Sequence, residues 1–99
     1  MIHSNEYRGI KNMKSNGHTV MAVLLDKRTD AAPNVQEILT KHGCIISSRI
    51  GLHQADECTE EGLIILHICG SDQEISKLEE ELSTVHRVKV EKMQVKFDD

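Results

Sequence analysis

His67 and Cys69 stand two residues apart at the end of the apolar run Leu63-Ile64-Ile65-Leu66-His67-Ile68-Cys69. In an extended segment that spacing puts an imidazole and a thiol on one face. His53 and Cys58 lie just upstream, so His53, Cys58, His67 and Cys69 gather around one hairpin. Imidazole and thiolate donors suit nickel, zinc or copper, and a divalent transition metal is the cofactor these four residues imply. Their spacing matches no closed zinc signature. The plainer reading makes His67 an interface residue and Cys69 a small buried hydrophobe. A second group suits an anion. Arg49 offers a bidentate fork to a carboxylate or phosphate, Gly51 leaves room beside it, and His53 completes the set. The alternative is that Arg49 pairs with an acidic side chain of a neighbouring subunit.

Catalysis has little to build on. No nucleophile–base pair, phosphate loop or paired-carboxylate motif stands out. Cys58 sits in Asp56-Glu57-Cys58-Thr59-Glu60-Glu61, where the surrounding carboxylates disfavour a thiolate. A non-enzyme is expected.

The elements that must position these residues follow from periodicity. His18–Asp26 reads as a strand, apolar at every position from Val20 to Leu25. After a polar turn, Asp30 is placed to cap a helix with Pro33 in its first turn, and Ala31, Val35, Ile38, Leu39 and His42 fall on one face. Gly43 is expected to end that helix in the left-handed conformation. Ile45–His53 reads as a second strand, 54–62 as an acidic loop and Leu63–Cys69 as a third strand. Ser71-Asp72-Gln73-Glu74 is a capping box opening a helix whose buried stripe is Ile75, Leu78 and Leu82. Val88–Phe97 is the last strand. Its apolar parity changes between Val90 and Met93, which predicts a bulge or a change of partner.

The order is strand, helix, strand, strand, helix, strand. Connection rules then leave an α+β, ferredoxin-like βαββαβ sandwich, an antiparallel four-stranded sheet with two helices on one face. The first and third strands are central there, and they are the uniformly apolar ones. A register placing Leu63 beside His53 turns Ile46, Ile50, Leu52, Ile64, Leu66 and Ile68 toward the helices. It leaves Ile45, Arg49, Gly51, His53, Leu63, Ile65, His67 and Cys69 on the other face. A sheet apolar on both sides needs a second cover, so a homo-oligomer, dimer or tetramer, is expected.

Composition narrows the partners. The chain has 99 residues and a net charge of −4, enough for one domain. Residues 1–17 are polar, aperiodic and basic, with Arg8, Lys11 and Lys14 against Glu6, and read as a flexible leader to a domain at 18–99. The remainder is acidic. With Tyr7 and Phe97 the only aromatic residues apart from histidine, neither phosphate backbones nor stacked bases have a platform. No apolar run is long enough to span a bilayer. Three cysteines without a CxxC pair, and no signal peptide, point to the cytoplasm.

The stretch Asp30-Ala31-Ala32-Pro33-Asn34-Val35-Gln36-Glu37-Ile38-Leu39, with Gly43-Cys44-Ile45-Ile46, Arg49-Ile50-Gly51-Leu52-His53 and Glu61-Gly62-Leu63-Ile64-Ile65-Leu66, resembles the iron-only hydrogenase system regulator family. The resemblance covers roughly 18–97 and implies an ACT-like domain similar in fold to the C-terminal domain of the nickel-responsive repressor. That analogy implies a tetramer with metal between sheets. The repressor's His-x-His pair followed by Cys is matched by His53 alone of the pair, and Cys58 comes one residue early. ACT domains bind amino acids near the first strand–helix loop, but the glycine typical of that loop is replaced here by Ala31, Ala32 and Pro33. Nothing in 1–17 resembles the repressor's DNA-binding segment. Residues and resemblance together imply an oligomeric regulatory module that binds a small effector or metal ion at a subunit interface. The alternative is a ligand-free structural interaction module.

Overall fold

The computed structural model describes residues 17–52 and 60–98. The expected leader, apart from Gly17, and most of the acidic loop, with His53 and Cys58, lie outside the described residues. Strand β1 (His18–Asp26) leads into helix α1 (Ala31–Lys41), a 3-10 turn (Gly43–Ile45) and strands β2 (Ile46–Leu52) and β3 (Glu61–Ile68). Helix α2 (Asp72–Ser83) and strand β4 (Val88–Val95) complete the chain. The sheet order is β2-β3-β1-β4 with every neighbouring pair antiparallel, so the two apolar strands are central, as their composition requires.

Both helices cover one face of the sheet. Met21, Val23 and Leu25 of β1 and Leu66 and Ile68 of β3 meet Val35 and Leu39 of α1 and Ile75, Leu78 and Leu82 of α2 in one buried core. At the start of α2, Ser71 Oγ accepts from the Glu74 N–H (3.1 Å) and Glu74 Oε1 accepts from the Ser71 N–H (2.9 Å), the reciprocal cap its sequence predicts. Glu81 of α2 ties the helices together by accepting from Lys41 Nζ (3.2 Å) and pairing with His42 Nε2 (3.1 Å). Lys92 of β4 meets Glu79 of α2 at 2.7 Å.

Four local expectations are corrected. Asp30 precedes α1 but makes no side-chain cap bond; Thr29 Oγ1 accepts from the Ala31 N–H instead (3.1 Å). Gly43 is not left-handed. It opens the 3-10 turn, which feeds directly into β2 and is anchored where the Cys69 N–H donates to the Ile45 carbonyl (2.8 Å). Strand β4 ends at Val95 and pairs with β1 without interruption from Leu25↔Val88 to His18↔Val95. Its parity change is a change of environment, since Lys92 reaches the helix side and Met93 and Val95 occupy the other.

The fourth correction moves a candidate site. Leu63 pairs with Leu52, not with His53, and Ile46↔Ile68 is followed by Ser48↔His67. Ser47 is the extra residue of a β-bulge, and a bulge reverses the facing of every residue beyond it. Ile46 faces the helices as expected. Arg49 and Gly51 take that side too, opposite Leu66 and Ile64, while Ile50 turns to the other face opposite Ile65. Ile45, expected on that other face, is buried in the core.

Candidate functional site

The face away from the helices is built from alternate residues of each strand. Strand β1 contributes His18, Val20, Ala22 and Leu24, all more accessible than the intervening Thr19, Met21, Val23 and Leu25. Strand β3 contributes Leu63, Ile65 and His67, opposite Leu24, Ala22 and Val20 in register. Ile50 extends the surface on one side, and Met93 and Val95 on the other. The result is a continuous apolar surface with no described element over it. Its flanks are the most open: Ile50 is 57% exposed, Met93 60% and Val95 49%. On edge strand β4, Lys89 and Glu91 share this face and lie 3.6 Å apart.

At one end the surface turns polar. His18 Nδ1 lies 3.0 Å from His67 Nε2, with ring centroids 5.1 Å apart and planes inclined by 27°. Cys69 Sγ is 3.9 Å from the same His67 Nε2 and 3.4 Å from Ser47 Oγ. The arrangement follows from the sheet register. Thr19 pairs with Ile68 and Val20 with His67, so one further step brings His18 across from Cys69. The bulge at Ser47 sets a hydroxyl beside the thiol. Cys69 is a free, exposed thiol.

Of the residues singled out from sequence, His67 and Cys69 are brought together, and on the open face. Arg49 lies on the opposite face, where its guanidinium donates to Gln36 Oε1 of α1 (2.8 Å), so it does not join them. Gly51 lies in Arg49's row, and His53 and Cys58 are outside the described residues. Among the described residues, no group of three or more His, Cys, Asp or Glu side chains could hold a metal ion. His18 was not singled out; its parity with Val20, Ala22 and Leu24 was the available signal.

A second polar cluster closes the other end of β1. Asp26, its side chain only 7% exposed, accepts from Arg28 Nε (2.9 Å), from a second guanidinium nitrogen of Arg28 (3.0 Å) and from the Arg28 N–H (3.0 Å). Arg87 Nε adds a fourth bond at 3.1 Å. These bonds, those of Arg28 foremost, hold the Asp26 carboxyl well below the usual carboxylate range. The Asp26 N–H also donates to the Arg87 carbonyl (3.2 Å), and Arg87 itself is left-handed at φ 64°. The cluster therefore ties the exit of β1 to the entry of β4, with the Asp26 carboxylate accepting four hydrogen bonds.

Comparison with known proteins places this geometry. The family model described as "TM1266-like: Iron-only hydrogenase system regulator, putative" matches residues 18–92. No curated protein matches the sequence. The solved structure of the uncharacterized protein TM1266 from Thermotoga maritima superposes with a TM-score of 0.73 at 21% identity, covering 81% of this chain and 98% of that one. A dimeric ferredoxin-like protein of unknown function from Thermobifida fusca gives a TM-score of 0.41 at 9% identity, over 85% and 97% of the two chains. No helix among the described residues is long and apolar enough to cross a membrane.

Proposed function

This chain belongs to the TM1266-like family of iron-only hydrogenase system regulators, and from that premise we propose that it is a regulatory module, without catalytic chemistry, that acts through assembly with further copies of itself. The contact surface in this reading is the open face of the sheet, and a small effector or metal ion is held where such faces meet.

One observation carries the reading: the inner strands are apolar on both sides, but helices cover only one. Val20, Ala22, Leu24, Leu63 and Ile65 are buried only in part, with Ile50, Met93 and Val95 open beside them. A soluble domain exposes a contiguous patch of this kind chiefly at an interface. A second copy is the partner that fits. Lys89 and Glu91 border the patch with opposite charges on one strand, so a two-fold-related copy can set each beside its opposite. Two such faces stacked at the usual sheet separation, about 10 Å, bury each other's apolar rows.

Sedimentation velocity over a concentration series tests this. The expected result is a defined oligomer at micromolar concentration, with a melting temperature that rises with protein concentration. A single monomeric species throughout overturns the reading.

A further inference from the structure

We propose that the groove between helix α2 and edge strand β4 binds a small neutral polyol, a molecule of monosaccharide size. The site lies on the helix-covered side of the sheet, away from the open face, and does not depend on the assembly.

Thr19 is the one polar residue in the helix-facing row of β1, which continues with Met21, Val23 and Leu25. It is 5% exposed, and the other buried polar residue among those described is Asp26. Asp26 accepts four hydrogen bonds. The Thr19 hydroxyl makes none among the described residues. A buried hydroxyl without a partner is costly, and valine would fill the same space without that cost. Thr19 lies at the base of a groove lined also by Asp72, Ile75 and Ser76 of α2 and by Lys92 and Gln94 of β4. Asp72 and Ser76, one turn apart on α2, likewise have side chains without a hydrogen-bond or ion-pair partner among the described residues. Three side chains with unused hydrogen-bonding capacity therefore line one space of about 360 Å³, within the range of small-molecule sites, about 300–1,000 Å³.

Charge selects the class of ligand. Lys92, the lysine of the groove, is held by Glu79 at 2.7 Å, so no unpaired cation lines the space to receive an anion. Asp72 stands in the first turn of α2, where the positive end of the helix dipole balances a carboxylate and disfavours an approaching cation. What remains is a carboxylate that accepts and two hydroxyls that both donate and accept. Adjacent hydroxyls of a polyol can donate to the two oxygens of one carboxylate, and its other hydroxyls can exchange bonds with Thr19 and Ser76. Ile75, on the same wall, offers the carbon skeleton an apolar surface.

Proton–nitrogen NMR titration of the full chain with myo-inositol, glucose and glycerol as probes tests the proposal. Expected are saturable shifts of the Thr19, Asp72, Ser76 and Gln94 amide signals with at least one probe, at a Kd in the millimolar range. Thr19→Val and Asp72→Ala should each weaken that binding at least about tenfold. Shifts that saturate with none of the three probes, or binding indifferent to both substitutions, overturn the proposal. So does saturation of the same signals by methylammonium or phosphate in place of the polyols. Asp72 is exposed, so Asp72→Ala leaves the core untouched and decides the matter if Thr19→Val disturbs the packing.

Discussion

Ile65→Glu separates the fold of this domain from its assembly. Ile65 lies in the middle of the open face, between Ala22 of β1 and Ile50 of β2, and the next residue across the sheet is Glu91 of β4. In an isolated chain the side chain is half-exposed, so a carboxylate there stays hydrated and the fold survives. In an assembly joined through this face the same carboxylate is enclosed. The nearest charge in its own row is Glu91, of like sign, and no cation lies in that row to pair with it. An enclosed, unpaired charge costs about 3 kcal/mol at the low end. A two-fold interface encloses two, about 6 kcal/mol together, which weakens association by about 10⁴-fold at 1.4 kcal/mol per decade. A micromolar oligomer becomes a monomer at any practical concentration. Sedimentation velocity, with far-ultraviolet circular dichroism as the check on folding, reads the outcome. Lys77→Glu reverses a charge on exposed α2 and should leave the mass unchanged. A natively folded Ile65→Glu protein with the unaltered mass of the oligomer would refute the claim that this face is the contact.

Three other outcomes follow from the fold. Leu78 is fully buried between α2 and the sheet, so Leu78→Ala should cost about 2–5 kcal/mol and lower the melting temperature by at least about 10 °C, measured by thermal unfolding. The Asp26 carboxyl is held below its unfolded value by Arg28 and then Arg87, and Glu81 is lowered likewise by His42 and Lys41. Their contribution is therefore complete above the unfolded carboxylate pKa of about 4 and is lost as pH falls below it. In urea titrations the stability gap between wild type and Asp26→Asn should be full at neutral pH and narrow in acid; a gap that widens in acid contradicts the assignment. Ser71→Ala removes the reciprocal cap of α2 and should cost about 1 kcal/mol by denaturant unfolding, most of which Ser71→Asp should restore.

Element identity was readable from the chain because local and global signals agree. The uniformly apolar Val20–Leu25 and the nearly continuous apolar Leu63–Ile68 became the central strands, and the Ser71–Glu74 box opened α2. The helix boundaries depended on finer competition. Asp30 had the right chemistry for a cap, but Thr29 was already held by the Asp26 carbonyl (2.8 Å) and accepted the first helical N–H instead. Gly43 had the right identity for a left-handed stop, yet Ile45 had to enter the core, and a 3-10 turn brings it there.

Of the site residues singled out from sequence, the structure brings His67 and Cys69 together and sends Arg49 elsewhere, and the dividing line is physical. His67 and Cys69 share a face through i, i+2 spacing on one strand, which no pairing choice can undo. Arg49 was assigned by register across a hairpin, and a single inserted residue, Ser47, moved it to the helix side and Ile50 to the open side. Ile46-Ser47-Ser48-Arg49-Ile50 does not mark the bulge: unbroken alternation turns both isoleucines inward, whereas the inserted Ser47 keeps Ile46 inside and sends Ile50 to the open face. The β1–β3 pairing that brings His18 to His67 spans 49 residues of sequence and is equally invisible to local spacing. The β1–β3 ambiguity resolves once one asks which register covers the core with Met21, Val23, Leu66 and Ile68 together; the bulge in β2 does not follow from that choice. That choice forces His18, with Val20 and Ala22, onto the open face. The same packing demand that buries one set of residues therefore carries the histidine pair and the thiol to the uncovered side of the sheet.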